Sequence, residues 1–234
     1  MEKVEISQPT LVFMAGRPSS GKSTFIRQVL PYVKNLFLID KDTLNDTFLT
    51  DIAVAEGSSQ TPLFESHASL DEYDRKNKER LDSFISLARN WNDRRLVDRD
   101  TPTYKDHIRL QSYLVMLTLA NDNLSTGKSV VLDAPHIKEM KIQYFDRIAP
   151  QIITSEYQIK AVLCHAPEEV LKRRIRAKGE KRDDYMQVDE KAWRLDLQKE
   201  PIIPQEIESY DHIKIDTSKD TKENIRRALE FLVL

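Results

Sequence analysis

Five short apolar runs, separated by longer stretches of helical or mixed patterning, set the frame of the chain. They are Leu11-Val12-Phe13-Met14-Ala15, Leu36-Phe37-Leu38-Ile39, Ser129-Val130-Val131-Leu132, Ile159 to Cys164, and His212-Ile213-Lys214-Ile215. Short apolar runs bounded by turn residues predict buried strands of a parallel sheet. The segments between them recur at helical spacing. Phe25, Ile26, Val29 and Leu30 form one such pattern, closed by Pro31, and Lys138 to Ile148 and Glu168 to Lys178 predict two more helices. Strands alternating with helices predict an α/β fold, a five-stranded parallel sheet with helices on both faces.

Two helical stretches differ in kind. Thr103 to Asn123 carries Ile108, Leu110, Tyr113, Leu114, Val115, Met116, Leu117 and Leu119, apolar nearly all round, which predicts a core helix. The last helix has Ile225, Ala228, Leu229 and Leu232 on one face, predicting a helix laid on the sheet. Between the second and third strands the pattern changes. Gly57 to Pro62 is a loop by composition, and Leu70 to Trp91 is dense in charge with apolar residues at helical spacing. The chain is expected to be one domain over residues 1–234. A helical insertion occupies about 50–125 and a lid segment about 168–190.

Composition narrows the class of protein. With 40% hydrophobic and 32% charged residues, the 234-residue chain suits one buried core under a charged surface. A formal net charge of −2 supplies no global field for nucleic acid or an anionic membrane, so a polyanion would need a local basic patch. The single cysteine, Cys164, excludes an internal disulfide and lies in an apolar run, as a buried core thiol does. Met1 to Thr10 has no apolar signal region and no run approaches membrane-spanning length, so a cytoplasmic protein is expected.

The candidate chemistry begins where the first strand ends. Gly16-Arg17-Pro18-Ser19-Ser20-Gly21-Lys22-Ser23-Thr24 spells G-x-x-x-x-G-K-S between a strand and a helix, the P-loop spacing in its confirming context. Gly16 and Gly21 permit backbone angles that let successive N–H groups curl around a phosphate, and the following helix turns its positive end to the same anion. Lys22 is expected on the β- and γ-phosphates of a nucleoside triphosphate and the Ser23 hydroxyl on magnesium.

Two further strands deliver carboxylates to the same sheet edge. The second ends in Asp40-Lys41-Asp42, where one acid can act in chemistry, Asp42 being favoured, while one caps the next helix. The third ends in Asp133, read as a magnesium-side carboxylate, the alternative being a helix cap. After the fourth strand, the basic segment Lys172, Arg173, Arg174, Arg176, Lys178, Lys181 and Arg182 has the position of a lid over a triphosphate. Arg94, Arg95 and Arg99 are either a solvated surface or a phosphate-recognising patch on the acceptor side.

These residues together resemble the P-loop kinases, in particular the branch containing polynucleotide 5′-hydroxyl kinases and zeta-toxin-like kinases. The resemblance rests on Gly16 to Thr24, Asp42, Val130-Val131-Leu132-Asp133, the basic helix with Arg174, and Ile215-Asp216-Thr217-Ser218. It implies a three-layer P-loop NTPase fold, ATP and Mg2+ as cofactors, and transfer of the γ-phosphate to a hydroxyl acceptor. That acceptor would be a metabolite, a nucleotide sugar or a nucleic-acid 5′ end. It implies that Asp42 takes the acceptor proton, that Asp133 is the Walker B-like acid, and that Arg174, Lys178 and Arg182 contact the phosphates. An inhibitor protein would be a partner if the chain is toxin-like. The sequence departs from the family at Asn45, where an arginine is common, and at Lys178, where a second lid arginine is expected. Two other classes stay open: a nucleotide-hydrolysing switch or motor, and a non-catalytic ATP-binding module. Against a GTP switch, Asn77-Lys78-Glu79-Arg80 lacks the Asp that reads a guanine base.

Overall fold

The five predicted strands all form and pair into one parallel sheet in the order β2-β3-β1-β4-β5. They are β1 (Thr10–Ala15), β2 (Leu36–Asp40), β3 (Ser129–Asp133), β4 (Gln158–His165) and β5 (His212–Asp216). A computed structural model of the protein describes residues 2–49, 108–178 and 189–234, with the backbone alone for 46–49. The expected loop at 57–62, the helix at 70–91, the arginines at 94, 95 and 99, and Arg182 lie outside the described residues. The chain divides into two compact units, Met1–Asp42 with Arg109–Leu234, and Thr43–Ile108. The sheet belongs to the first.

Strand alternation distributes the core over both faces. On one face Val12, Met14, Val131, Val162, Cys164 and Ile215 pack with α1 (Lys22–Val29) and the C-terminal helix, forming a continuous apolar cluster. That last helix, Thr221–Val233, starts on Asp220, whose carboxylate accepts the Glu223 N–H at 2.9 Å. It buries Ile225, Ala228, Leu229 and Leu232, the stripe its sequence predicts. On the other face Phe13 stacks on Phe145 at 3.9 Å between ring centres and meets Tyr210 and His136 edge-on.

Two expected helices differ from their sequence patterns. The stretch read as apolar all round forms α3 (Arg109–Leu124), next after α2 (Lys41–Leu49), and is one-sided. Tyr113, Met116, Leu117, Ala120 and Leu124 are buried, whereas Leu110 is 55% and Leu119 39% exposed. It is a sheet-packing helix and not an enclosed one. The predicted helix over Lys138 to Ile148 is instead a chain of short turns, α4 (Ile137–Lys141), α5 (Tyr144–Arg147) and α6 (Ala149–Ile152). The physical reason is Gln143, whose φ of 56° is left-handed and interrupts the helical ladder; Pro150 then begins another turn.

Beyond β4 come α7 (Glu168–Lys178) and α8 (Glu190–Lys199), with Asp189 capping α8 by accepting the Lys191 N–H at 2.8 Å. Ala166, Leu171, Ile175 and the fully buried Trp193 form a small core of their own between the two helices. The C-terminal helix is α9. All the carboxyl ends of the strands lie on one edge, and the order reverses across β1, where α/β sheets hold ligands.

Candidate active site

The phosphate loop leaves β1 through a turn that only glycine can make. Gly16 has φ +138°, and a Cβ there would lie 2.2 Å from the Cys164 carbonyl oxygen. Gly21, at φ +86°, is the N-cap of α1 and brings no side-chain cap to its first turn, so that helix end is left for an anion. Ser19 is a third left-handed residue, at φ 61°, which the sequence does not announce. The loop is stitched by Gly16 N–H to the Pro135 carbonyl at 3.0 Å and Ser20 N–H to the Arg17 carbonyl at 3.2 Å.

Lys22 curls back over this loop. Its ammonium donates to the carbonyls of Gly16 and Arg17, each at 2.9 Å. Burial pushes its pKa down, while Cys164, Asp133 and Asp42 nearby oppose that shift. Asp133, at the end of β3, is 2% exposed, and among the described residues neither carboxylate oxygen has a hydrogen-bond partner of normal geometry. Burial raises its pKa, opposed by the Ser23 hydroxyl and by Lys22 beside it. Its neighbours Asp40 and Asp42 push it up further. An orphaned buried carboxylate next to a serine at a helix start suits a cation, because burying an unpaired charge is costly. One carboxylate and one hydroxyl, completed by phosphate oxygens and water, are the donor set magnesium takes. The residues present therefore fit a magnesium-bound polyphosphate.

The two acids after β2 divide their work. Asp40 lies opposite Asp133 in the β2–β3 register. One of its oxygens accepts the Asp42 N–H at 2.8 Å, and the other pairs with Arg27 at 2.7 Å. Asp40 thus caps the start of α2, and Asp42 sits exposed in the first turn. Between them Lys41 is buried, its ammonium 4.9 Å from the Tyr113 ring centre. Near it Glu139 is buried against the Tyr113 hydroxyl, and burial raises the pKa of both groups. Sequence reading missed Lys41, Tyr113 and Glu139, since apolar helical spacing hides Tyr113 and short polar turns hide Glu139. His136 at φ 51° accompanies them, fully buried, its Nδ1 2.7 Å from the Met14 carbonyl. Burial lowers its pKa to about 3, so the ring is neutral.

The basic helix reaches the loop through Arg174. Arg174 donates from Nη1 to Thr217 Oγ1 at 2.8 Å and from Nη2 to the Thr217 carbonyl at 2.9 Å, with a longer contact of 3.4 Å to the Ser19 carbonyl. Thr217 Oγ1 in turn donates to the Ser20 carbonyl at 2.7 Å, and Thr217 is also the neighbour a Cβ on Gly21 would meet. Arg174 therefore braces the loop against the chain after β5. Thr217 is the hub of that brace, a residue the sequence marks only by its place after a strand. Lys178 is exposed and close enough to lower the Lys22 pKa. Arg17 lies in the loop by its backbone only. Its side chain is buried against Trp193 and the end of α8. Pro18 lies in the loop and Thr24 in the first turn of α1, and the Ser19 and Ser20 hydroxyls are buried without partners among the described residues.

The family model described as an AAA domain matches residues 11–199, from the first strand to the end of α8. The chain belongs to this AAA domain family. Its members carry the P-loop kinase-like fold, in agreement with the five-stranded parallel sheet and the loop geometry. Among solved structures, a Chloroflexus aurantiacus protein whose kinase assignment is itself an inference is 14% identical. The match covers 96% of this chain and 99% of that one at a TM-score of 0.54, a likeness of fold. Deinococcus radiodurans tunicamycin resistance protein (11% identity, 97% of each chain, TM-score 0.47) is a more distant neighbour. So is Chaetomium thermophilum Kti12 in complex with ADP-AlF3 (14%, 95% of this chain and 98% of that one, 0.47). No curated protein sequence matches the chain. No helix among the described residues is long and apolar enough to cross a membrane.

Proposed function

We propose that this AAA domain protein is an ATP- and magnesium-dependent kinase, transferring the γ-phosphoryl group to a hydroxyl of a small-molecule or nucleic-acid acceptor. The observation that carries this reading is the buried, unpartnered carboxylate of Asp133 beside Lys22 and Ser23 at the mouth of the phosphate loop. Loop amides and the α1 N-terminus receive the phosphates. Lys22 exchanges its two loop carbonyls for phosphate oxygens, a swap of like hydrogen bonds that gains a charge-assisted pair. Ser23 and Asp133 would hold magnesium, which when bound neutralises charge on the β- and γ-phosphates.

Asp42, exposed at the start of α2, orients the acceptor hydroxyl and accepts its proton. The acceptor oxygen forms its bond to the γ-phosphorus as the bond to the bridging oxygen breaks, and ADP departs with that electron pair. Arg174 keeps the Ser19–Ser20 side of the loop in place through Thr217, and Lys178 with Arg182 supplies further positive charge to the phosphates. A cytoplasmic location follows from the same reading.

The test is incubation with γ-labelled ATP, magnesium and a mixed pool of metabolites and 5′-hydroxyl oligonucleotides, with Asp42→Asn alongside. Label should pass to one acceptor class with the native protein and fall by about 10²–10⁴-fold with the variant. Transfer to a nucleic-acid end would decline steeply with added salt, and transfer to a small acceptor would not. Nucleotide binding without transfer to any species would overturn the kinase reading, as would an undiminished rate in Asp42→Asn.

A further inference from the structure

The Gly16–Arg17 turn decides where Lys22 rests, because the carbonyls of these two residues hold its ammonium. The Arg17 carbonyl is fixed within the loop by the Ser20 N–H at 3.2 Å, and from outside the loop by what holds its own side chain. The Arg17 side chain is 1% exposed. Its guanidinium lies 5.0 Å over the Trp193 ring, pairs with the Asp196 carboxylate, donates to the Glu200 carbonyl, and approaches the Asp196 carbonyl at 3.4 Å.

Glu200 is the C-cap of α8, where a helix leaves acceptors unused and its dipole favours a cation, while the Asp196 carbonyl already accepts the Glu200 N–H at 2.8 Å. Arg17 is thus the C-terminal cap of a helix some 180 residues along the chain. That helix is anchored in turn. Trp193 Nε1 donates to Glu168 at 2.9 Å, and Lys172 bridges Glu168 and Glu190 at 2.9 and 2.8 Å, joining α8 to α7. Arg174, on the same α7, holds the loop from its other end through Thr217 and Ser19. The phosphate loop is held at both ends by one two-helix body.

We propose that Arg17 is a positioning residue that couples occupancy of the phosphate loop to the seating of α8. The inference rests on the nucleotide-binding reading above. When Lys22 leaves the Arg17 carbonyl for a phosphate, the backbone bearing the guanidinium changes partners, and the guanidinium's contacts with the end of α8 register it. Linkage is reciprocal: whatever loosens the α8 contact weakens nucleotide by the factor with which nucleotide tightens that contact.

The experiment is calorimetric titration of magnesium–ADP into the native chain, Asp196→Asn, and the double variant Arg17→Met/Asp196→Leu. A parallel record of Trp193 emission is taken in a Trp91→Phe background. Replacing both members of this ion pair, of which Arg17 is the buried one, by apolar groups is expected to keep the native thermal midpoint to within a few degrees. The double variant should nonetheless bind nucleotide about tenfold more weakly, Asp196→Asn about threefold, and Trp193 emission should change on titration. A double variant that melts and binds like the native chain would make Arg17 merely structural and overturn the proposal. Should it not fold, Asp196→Asn decides, and native affinity there overturns the coupling equally. A native chain that takes up no nucleotide is a different result, and defeats the functional reading first.

Discussion

Buried charge flanks the phosphate loop on two sides, and the two sides are treated differently. On the α8 side, Arg17 is enclosed with a carboxylate, two carbonyls and an indole face around it, and the indole N–H is itself bonded to Glu168. On the strand-edge side, Asp133 is also buried, and neither oxygen makes a hydrogen bond of normal geometry among the described residues, though the Ser23 hydroxyl is near enough to lower its pKa. Folded chains pair their buried polar groups almost without exception, so a carboxylate with both oxygens unsatisfied speaks of a ligand. The loop separates a side that holds shape from a side that holds something else.

The contrast breaks most visibly at Lys22. Lys22→Ala should lower phosphoryl transfer by about 10³-fold, because a charge aimed at the transferring group is lost from a water-poor site. The same variant should melt close to the native temperature, since the ammonium is disfavoured by its own burial. A rate assay and a thermal melt on one preparation check both halves. On the other side the order is reversed. Arg17→Met alone should destabilise by about 1.5–3 kcal/mol by removing the charge-assisted bonds of the buried guanidinium to the Asp196 carboxylate and the Glu200 carbonyl, a loss visible in chemical denaturation.

Asp133→Asn sharpens the distinction. Its ionised form is disfavoured in the fold, so neutralising it should raise stability of the nucleotide-free protein by about 1–2 kcal/mol while magnesium-dependent transfer is lost. Calorimetric melting together with a magnesium titration of activity would show the gain and the loss together. A variant less stable than the native chain would mean that the carboxylate is satisfied after all.

The smallest effect concerns pH. His136 has a folded pKa of about 3 against an ordinary value near 6.5, so the unfolded chain binds more protons between the two. Its contribution to stability is full above pH ~6.5 and declines as pH falls toward 3. His136→Phe should flatten the acid limb of the stability profile in that window.

Much of this was legible from residue order, for stated reasons. Buried parallel strands are continuous apolar runs, and Leu11 to Ala15 or Val130 to Leu132 can hardly be read otherwise. The loop is legible because its chemistry demands two glycines and a lysine at one spacing. Arg17 is not, since it stands at a variable position of that motif and its partner is 179 residues away with no local signal. Nor is Thr217, whose hydroxyl links Arg174 to the loop only once β5 is placed. Asp42 and Asp40 were told apart by a single backbone bond, the Asp42 N–H to the Asp40 carboxylate. The one-sided burial of α3 escaped because composition reports how many apolar residues a helix has, and not which of them meet the sheet.

The central claim is that the amides after Gly16 and the Lys22 ammonium grip a polyphosphate. Titration calorimetry of magnesium–ADP into the native chain and into Lys22→Ala tests it most directly. The account predicts one site on the native protein and binding at least about tenfold weaker in the variant. No heat with the native chain, or equal affinity in the two, would contradict it.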